Sequence, residues 1–231
     1  MVRITVTGVE RTGSSQSTYL ITVKLSNGEN EEVRTFKVFR RFLKTEPISG
    51  NVPAPGDNLS GEVYEALEFA EECSLAVVRA VSLLSYGDST ARNLTEKLRR
   101  KGVGKEAAEA AVRFCEEKRY IDEEAYLRRL MEQLCEKKHY GLRRIRQEIY
   151  TKGFSREAVE AVLEDCAASL DFEGALLERI NKLGYASFST PEKKKKQIAA
   201  LQRYGFSFEE IKRALGTLQI PDEDEDLYFE E

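Results

Sequence analysis

The sequence predicts a mainly α protein, with tandem three-helix repeats forming an elongated curved array behind a small N-terminal antiparallel β element. Three observations carry that prediction. An apolar register recurs three times about 51 residues apart, Val/Ile/Thr-rich alternation is confined to the first 40 residues, and a proline- and glycine-rich break separates the two patterns.

Residues 2–7, 18–25 and 33–39 alternate apolar and polar side chains, the period of a half-buried strand. Between the second and third of these runs, Ser26-Asn27-Gly28 supplies an Asn-Gly pair suited to positive φ. Three short strands make a sheet too small to stand without a cover. Residues 46–61 hold three of the five prolines and read as a linker loop. From residue 62 the pattern becomes helical, with Ala66, Phe69, Ala70, Cys73, Val77, Ala80, Val81 and Leu84 expected on one face. Such a helix can cover the sheet and bridge it to the helical repeats.

Three segments then align on Gly102, Gly153 and Gly205, 51 and 52 residues apart. Four residues before each glycine stands Leu98, Ile149 or Leu201, and one after stands Val103, Phe154 or Phe206. Six after stands Ala108, Val159 or Ile211, and ten after stands Val112, Leu163 or Leu215. Glycine following a helical pattern and preceding an apolar residue is the signature of a left-handed helix end. Ser155 and Ser207 are placed to cap the next helix, with Glu210 completing a capping box. Asp122 and Asp171 open a further helix after each of the first two pairs. The expected division is 1–45 β element, 46–61 linker, 62–88 bridging helix, 89–138 repeat one, 139–188 repeat two, 189–218 a partial repeat three, and 219–231 an acidic tail.

Charge follows this division. Residues 1–90 carry nine basic and twelve acidic groups, residues 91–218 carry 27 and 21, and the tail carries seven acids and no base. A basic middle between acidic ends is therefore hidden inside a net charge of −4. The tail reads either as a solubilising segment or as a competitor for the basic region.

Enzyme signatures are absent, so the expectation is a protein with no catalytic residue. Gly102-Val103-Gly104 follows a helical pattern and lacks the strand and third glycine of a dinucleotide loop. Cys73, Cys115, Cys135 and Cys166 form no C-x-x-C, and His139 is the only histidine, which argues for buried thiols and no metal site. His139, just ahead of a helical pattern, reads as a surface or capping residue. No apolar run reaches the roughly 20 residues of a membrane span, and the N-terminus has no signal-peptide pattern. The expected compartment is the cytoplasm.

Three stretches carry a family likeness: LLSYGDSTARNLTEKLRRKGV, EEKRYIDEEAYLRRLMEQ and YGLRRIRQEIYTKGFSREAVEAVL, continued by KKQIAALQRYGFSFEEIKRAL. They resemble the RecX family, over roughly residues 75–216. The most specific part is Arg119-Tyr120-Ile121-Asp122-Glu123-Glu124 followed by Tyr140-Gly141-Leu142-Arg143-Arg144-Ile145. The family usually opens its first repeat with an arginine-rich loop and a serine ahead of an acidic-leucine pair. Here the loop is Tyr86-Gly87-Asp88-Ser89-Thr90, and Arg92-Asn93-Leu94 stands where the acid would be. The resemblance implies a non-enzymatic modulator of the RecA recombinase that lies in the groove of the RecA–single-stranded DNA filament. It implies no cofactor, no membrane and a monomer.

The basic residues are the candidate contact set: Arg128 and Arg129, then Lys137, Lys138, Arg143, Arg144, Arg146 and Lys152. Arg143, Arg146 and Tyr150 fall on a helix face away from Ile145 and Ile149. A solvated helical face is the plain reading of such a set, and the basic excess of the middle region places a contact surface beside it. No aromatic spacing suggests base stacking, so any DNA contact would be to phosphates. A general helical module binding DNA without RecA stays open as the alternative.

Overall fold

The computed structural model describes residues 2–13, 17–28 and 30–218, and the acidic tail read at 219–231 lies outside them. The chain divides into two compact units, Met1–Ile121 and Asp122–Glu231.

In the first unit the alternating runs form β1 (Arg3–Thr12), β2 (Thr18–Ser26) and β3 (Glu31–Phe39), all antiparallel. The Asn27 side chain accepts from the Asn30 N–H at 3.0 Å, and Gly28 takes φ 100° in the turn. Ile4 and Val6, then Tyr19, Ile21 and Val23, then Phe36 and Val38 point to one buried face. The region read as a linker is ordered and adds a fourth strand, β4 (Asn58–Leu59), at the free edge of β1, giving the order β3-β2-β1-β4. Val6 exchanges backbone hydrogen bonds with Asp57 and Gly56, both 2.9 Å. Composition could not show this, because proline and glycine serve ordered turns and loose chain alike.

Helix α1 (Gly61–Ser85), capped by the Ser60 hydroxyl, covers the sheet with Leu67 and Ala70. Its second half, through Cys73, Ala76, Val77 and Ala80, packs on α2 (Ala91–Arg100) and α3 (Lys105–Glu117). The single stripe expected from the sequence therefore needs correction. Phe69 and Val81 are 39% and 40% exposed, while Leu67, Ser74 and Ala76 are buried. A helix that meets a sheet at one end and a helix pair at the other turns different faces inward along its length. Polar ties close the seam. Arg34 bonds Glu68, Tyr64 and Glu71 over the Phe36 ring, and Ser74 Oγ accepts from the Phe39 N–H at 2.9 Å. Arg41 makes a two-pronged pair with Glu117 of α3, at 2.8 and 3.0 Å.

The second unit contains α4 (Glu123–Glu136), α5 (Leu142–Thr151), α6 (Arg156–Ser169), α7 (Phe172–Leu183), α8 (Pro191–Arg203) and α9 (Phe208–Thr217). All twelve residues of the repeated apolar register, across both units, are buried. Gly102, Gly153 and Gly205 take φ of 82°, 78° and 98°, the left-handed region expected of them. At Gly102 the closing bonds are Gly102 N–H to Arg99 O at 3.0 Å and Val103 N–H to Leu98 O at 3.2 Å. These two bonds satisfy carbonyls that the helix end leaves open. Ser155 and Ser207 cap α6 and α9, and Glu210 closes the box onto Ser207. Asp122 and Asp171 cap α4 and α7. Among the described residues no helix is long and apolar enough to cross a membrane.

Candidate filament-binding face

The candidate residues sit on α4, on the turn after it and on α5, all within the second unit. Arg128, on α4, is half-buried, donates to Glu124 Oε1 at 3.0 and 3.3 Å, and lies 3.5 Å from Cys166 Sγ on α6. Arg129 is exposed one residue on. Lys137 and Lys138 are exposed where α4 ends.

That end is held by α7. Arg179 Nη2 donates to the Lys138 carbonyl at 2.9 Å, and Lys182 Nζ lies 2.7 Å from His139 Nε2. An ammonium can donate only to an unprotonated ring nitrogen, so this contact needs neutral imidazole. Burial, then Lys182 and Arg179, hold the His139 pKa below its ordinary 6.5. His139 also adopts φ 50°, a left-handed conformation that histidine enters more readily than most residues. It is a turn residue, held directly by Lys182 and next to the Lys138 carbonyl that Arg179 holds. Sequence reasoning misses Arg179 and Lys182, since no spacing rule links α7 to a turn about 40 positions earlier.

Helix α5 has no side chain at its N-cap, Gly141. Its first amides are satisfied from another turn: Gly141 N–H donates to Tyr204 O at 2.8 Å and Arg143 N–H to Gly205 O at 3.3 Å. The approach is so close that a Cβ on Gly141 would collide with the Gly205 carbonyl, and one on Gly205 with the Arg144 backbone. The Tyr140 and Tyr204 rings lie 5.9 Å apart, with Arg144 over the first at 5.7 Å and Arg179 over the second at 3.6 Å. Arg144 also pairs with Glu148 at 2.6 Å. It belongs to the scaffold.

Arg143 and Arg146 differ from it. Both are exposed, and their side chains make no ion pair among the described residues. Ile145 and Ile149 are fully buried on the opposite side, and Tyr150 continues the outer face at 47% exposure. Lys152 is exposed at the C-cap of α5. The structure thus separates the set: Lys137, Lys138, Arg143 and Arg146 present charge outward, while Arg128 and Arg144 spend theirs within the unit. An array of this kind can hold carboxylates or phosphates through charge-assisted hydrogen bonds. An open cleft beside the turn includes Cys135, His139 and Asp171. Burial pushes the Cys135 thiol up to about 11, and the thiol faces the Asp171 carbonyl at 3.7 Å, so it is no nucleophile near neutrality.

Comparison with known proteins is consistent with this architecture. The family model for the second three-helix domain of RecX matches residues 122–163, and that for the third matches residues 171–215. Both begin at the helices α4 and α7, which the sequence division places at the end of the preceding unit. The regulatory protein RecX of Vibrio vulnificus (strain CMCP6) is 35% identical over 136 residues, covering 59% of this chain and 88% of that protein. The corresponding protein of Vibrio parahaemolyticus is 34% identical, covering 59% and 86%. In fold, the chain is similar to a crystal structure of regulatory protein RecX, with a TM-score of 0.67 at 19% identity over 91% of this chain and 99% of that one. It is also similar to that of RecX from Lactobacillus salivarius, with a TM-score of 0.57 at 20% identity over 66% and 99%. With its repeat register, its capped three-helix units and relatives matched over most of their length, the chain belongs to the RecX family.

Proposed function

We propose that this protein binds the RecA filament on single-stranded DNA and limits recombinase action and ATP hydrolysis, working by contact and without chemistry of its own. Membership of a family of regulatory proteins supports the RecA side of this reading. The observation that carries the contact site is the outward face of α5, where Arg143 and Arg146 are exposed and unpaired among the described residues. Folding needs the opposite side, Ile145 and Ile149, and leaves these two arginines unexplained.

A filament groove offers acidic side chains and phosphates together, and a guanidinium can engage either with two parallel hydrogen bonds. Lys137 and Lys138 extend the same charge across the turn that precedes α5, with Arg129 and Lys152 exposed on its flanks. In this reading the protein acts in the cytoplasm as a monomer, in recombination and DNA repair. Co-sedimentation with RecA assembled on single-stranded DNA is the direct test. The protein should travel with the filament and stay in solution with RecA that lacks DNA and nucleotide. Equal recovery in both arms would contradict the proposal.

A further inference from the structure

The three helix–turn–helix pairs are an internal control on what their turns need in order to fold. Each has a left-handed glycine, buried apolar residues on either side of it and a following helix. Their charge differs sharply. Residues 97–105 hold Lys97, Arg99, Arg100, Lys101 and Lys105 with no acid. The equivalent stretch 148–156 holds Lys152 and Arg156 against Glu148, and 200–208 holds only Arg203. Cations at a helix C-terminus suit the dipole, but the second and third turns close in the same way with far fewer. Folding does not account for the excess at the first.

The side chains stand outward. All five cations are exposed, while Leu98 and Val103 between them are buried. Arg100 shares Glu96 with Arg92, at 3.3 and 3.6 Å, and Lys97 Nζ donates to Ser89 Oγ at 3.2 Å. Arg99, Lys101 and Lys105 make no side-chain ion pair among the described residues. Acids also border the patch: Glu96 and Glu106 stand just outside it in sequence, and Glu72 of α1 reaches it with Oε1, which accepts from the Gly104 N–H at 2.7 Å. That carboxylate already occupies the start of α3, so any external anion must be held by the side chains alone.

We infer that the α2–α3 turn is a contact site for the phosphate backbone of single-stranded nucleic acid, independent of base sequence and separate from the α5 face. The chemistry of the patch selects this partner. Protein interfaces are anchored by aromatic or apolar residues with charge depleted at their centre, and this turn exposes no such anchor. A regularly spaced polyanion needs only cations, and binding releases its counterions. Without an aromatic platform the site reads no base.

The test uses the full chain and a labelled oligothymidylate in the absence of RecA, with fluorescence anisotropy read across a salt series. Replacing Arg99, Lys101 and Lys105 together by alanine should weaken binding at least about tenfold at low salt. It should also flatten the slope of log affinity against log salt by about 2, since each single-strand phosphate contact contributes roughly 0.7. The charge-keeping set Arg99→Lys, Lys101→Arg and Lys105→Arg should bind like the parent. Lysine acetylation of the unaltered protein gives a second reading that does not depend on any variant. The oligonucleotide should protect Lys101 and Lys105 and leave the exposed Lys44 reactive. Unchanged affinity and salt slope in the alanine variant would overturn the assignment, as would absent protection or no measurable binding of the parent at low salt. Unchanged oligonucleotide binding with weaker RecA inhibition would overturn it in favour of an acidic protein partner.

Discussion

Arg144 stacks on Tyr140 and pairs with Glu148, so alanine there removes a cation–π contact and an i,i+4 ion pair. Together these are worth about 1 kcal/mol at a partly exposed site, and thermal unfolding of Arg144→Ala should register the loss. The adjacent Arg143 has no such role. Arg143→Glu with Arg146→Glu should leave the melting temperature close to the parent's, since no ion pair is broken and an acid in the first turn of α5 suits the helix dipole. The sequence separates these neighbours only in part. Periodicity places Arg143 and Arg146 opposite Ile145 and Ile149, but the ring that claims Arg144 becomes evident only with the Tyr140–Tyr204 pairing. His139, a surface or capping residue by sequence, gains a pH dependence from its tertiary neighbours. Its folded pKa lies below the ordinary 6.5, so the unfolded chain takes up the proton more readily and stability falls as pH drops through that value. His139→Gln should reduce the loss of melting temperature between neutral and mildly acidic pH. An identical loss in both proteins would assign the effect to other groups.

At the scale of elements, the three glycine turns are legible because a left-handed helix end imposes its residue type locally. What each turn touches is not. Gly153→Ala strains a φ of 78° and should cost about 1 kcal/mol. Gly205→Ala meets the same strain and also drives a Cβ into the Arg144 backbone, so it should cost distinctly more. Calorimetry of the two variants would check the order, and equal losses would mean that the α5–α8 approach relaxes freely. The β element obeys the same logic. Its strands are readable from alternation, whereas β4 and the Arg34 and Arg41 ties join residues far apart in sequence. The helical cysteines give an independent check on packing. Burial raises the Cys73 thiol to about 12 and the Cys115 thiol to about 11, and all four cysteines are buried and free. A disulfide-exchange reagent should therefore label them slowly in the native protein and rapidly in denaturant. Fast native labelling would show that the helical core opens readily.

Across the whole molecule, the net charge of −4 conceals a basic middle region, and the structure distributes that charge over two units. One cationic surface lies on α5 and the turn before it, and the other on the α2–α3 turn. The repeats are visible in the sequence because each must bury the same four positions. The contact faces are less visible because exposed charge obeys no packing rule: Arg128 and Arg144 pair with Glu124 and Glu148 at a spacing of four that the sequence permits, while the Arg128 contact with Cys166 exists only in the fold. The proposed restraint of RecA by the α5 face is tested by RecA-dependent ATP hydrolysis on single-stranded DNA, titrated with the parent protein and with the Arg143→Glu, Arg146→Glu variant. The parent should lower the rate, and the variant should need roughly ten- to a hundredfold more protein for the same effect, the equivalent of about 1–3 kcal/mol of lost charged contacts. A parent that leaves hydrolysis unchanged, or a folded variant that inhibits at the parent's concentration, would contradict the account.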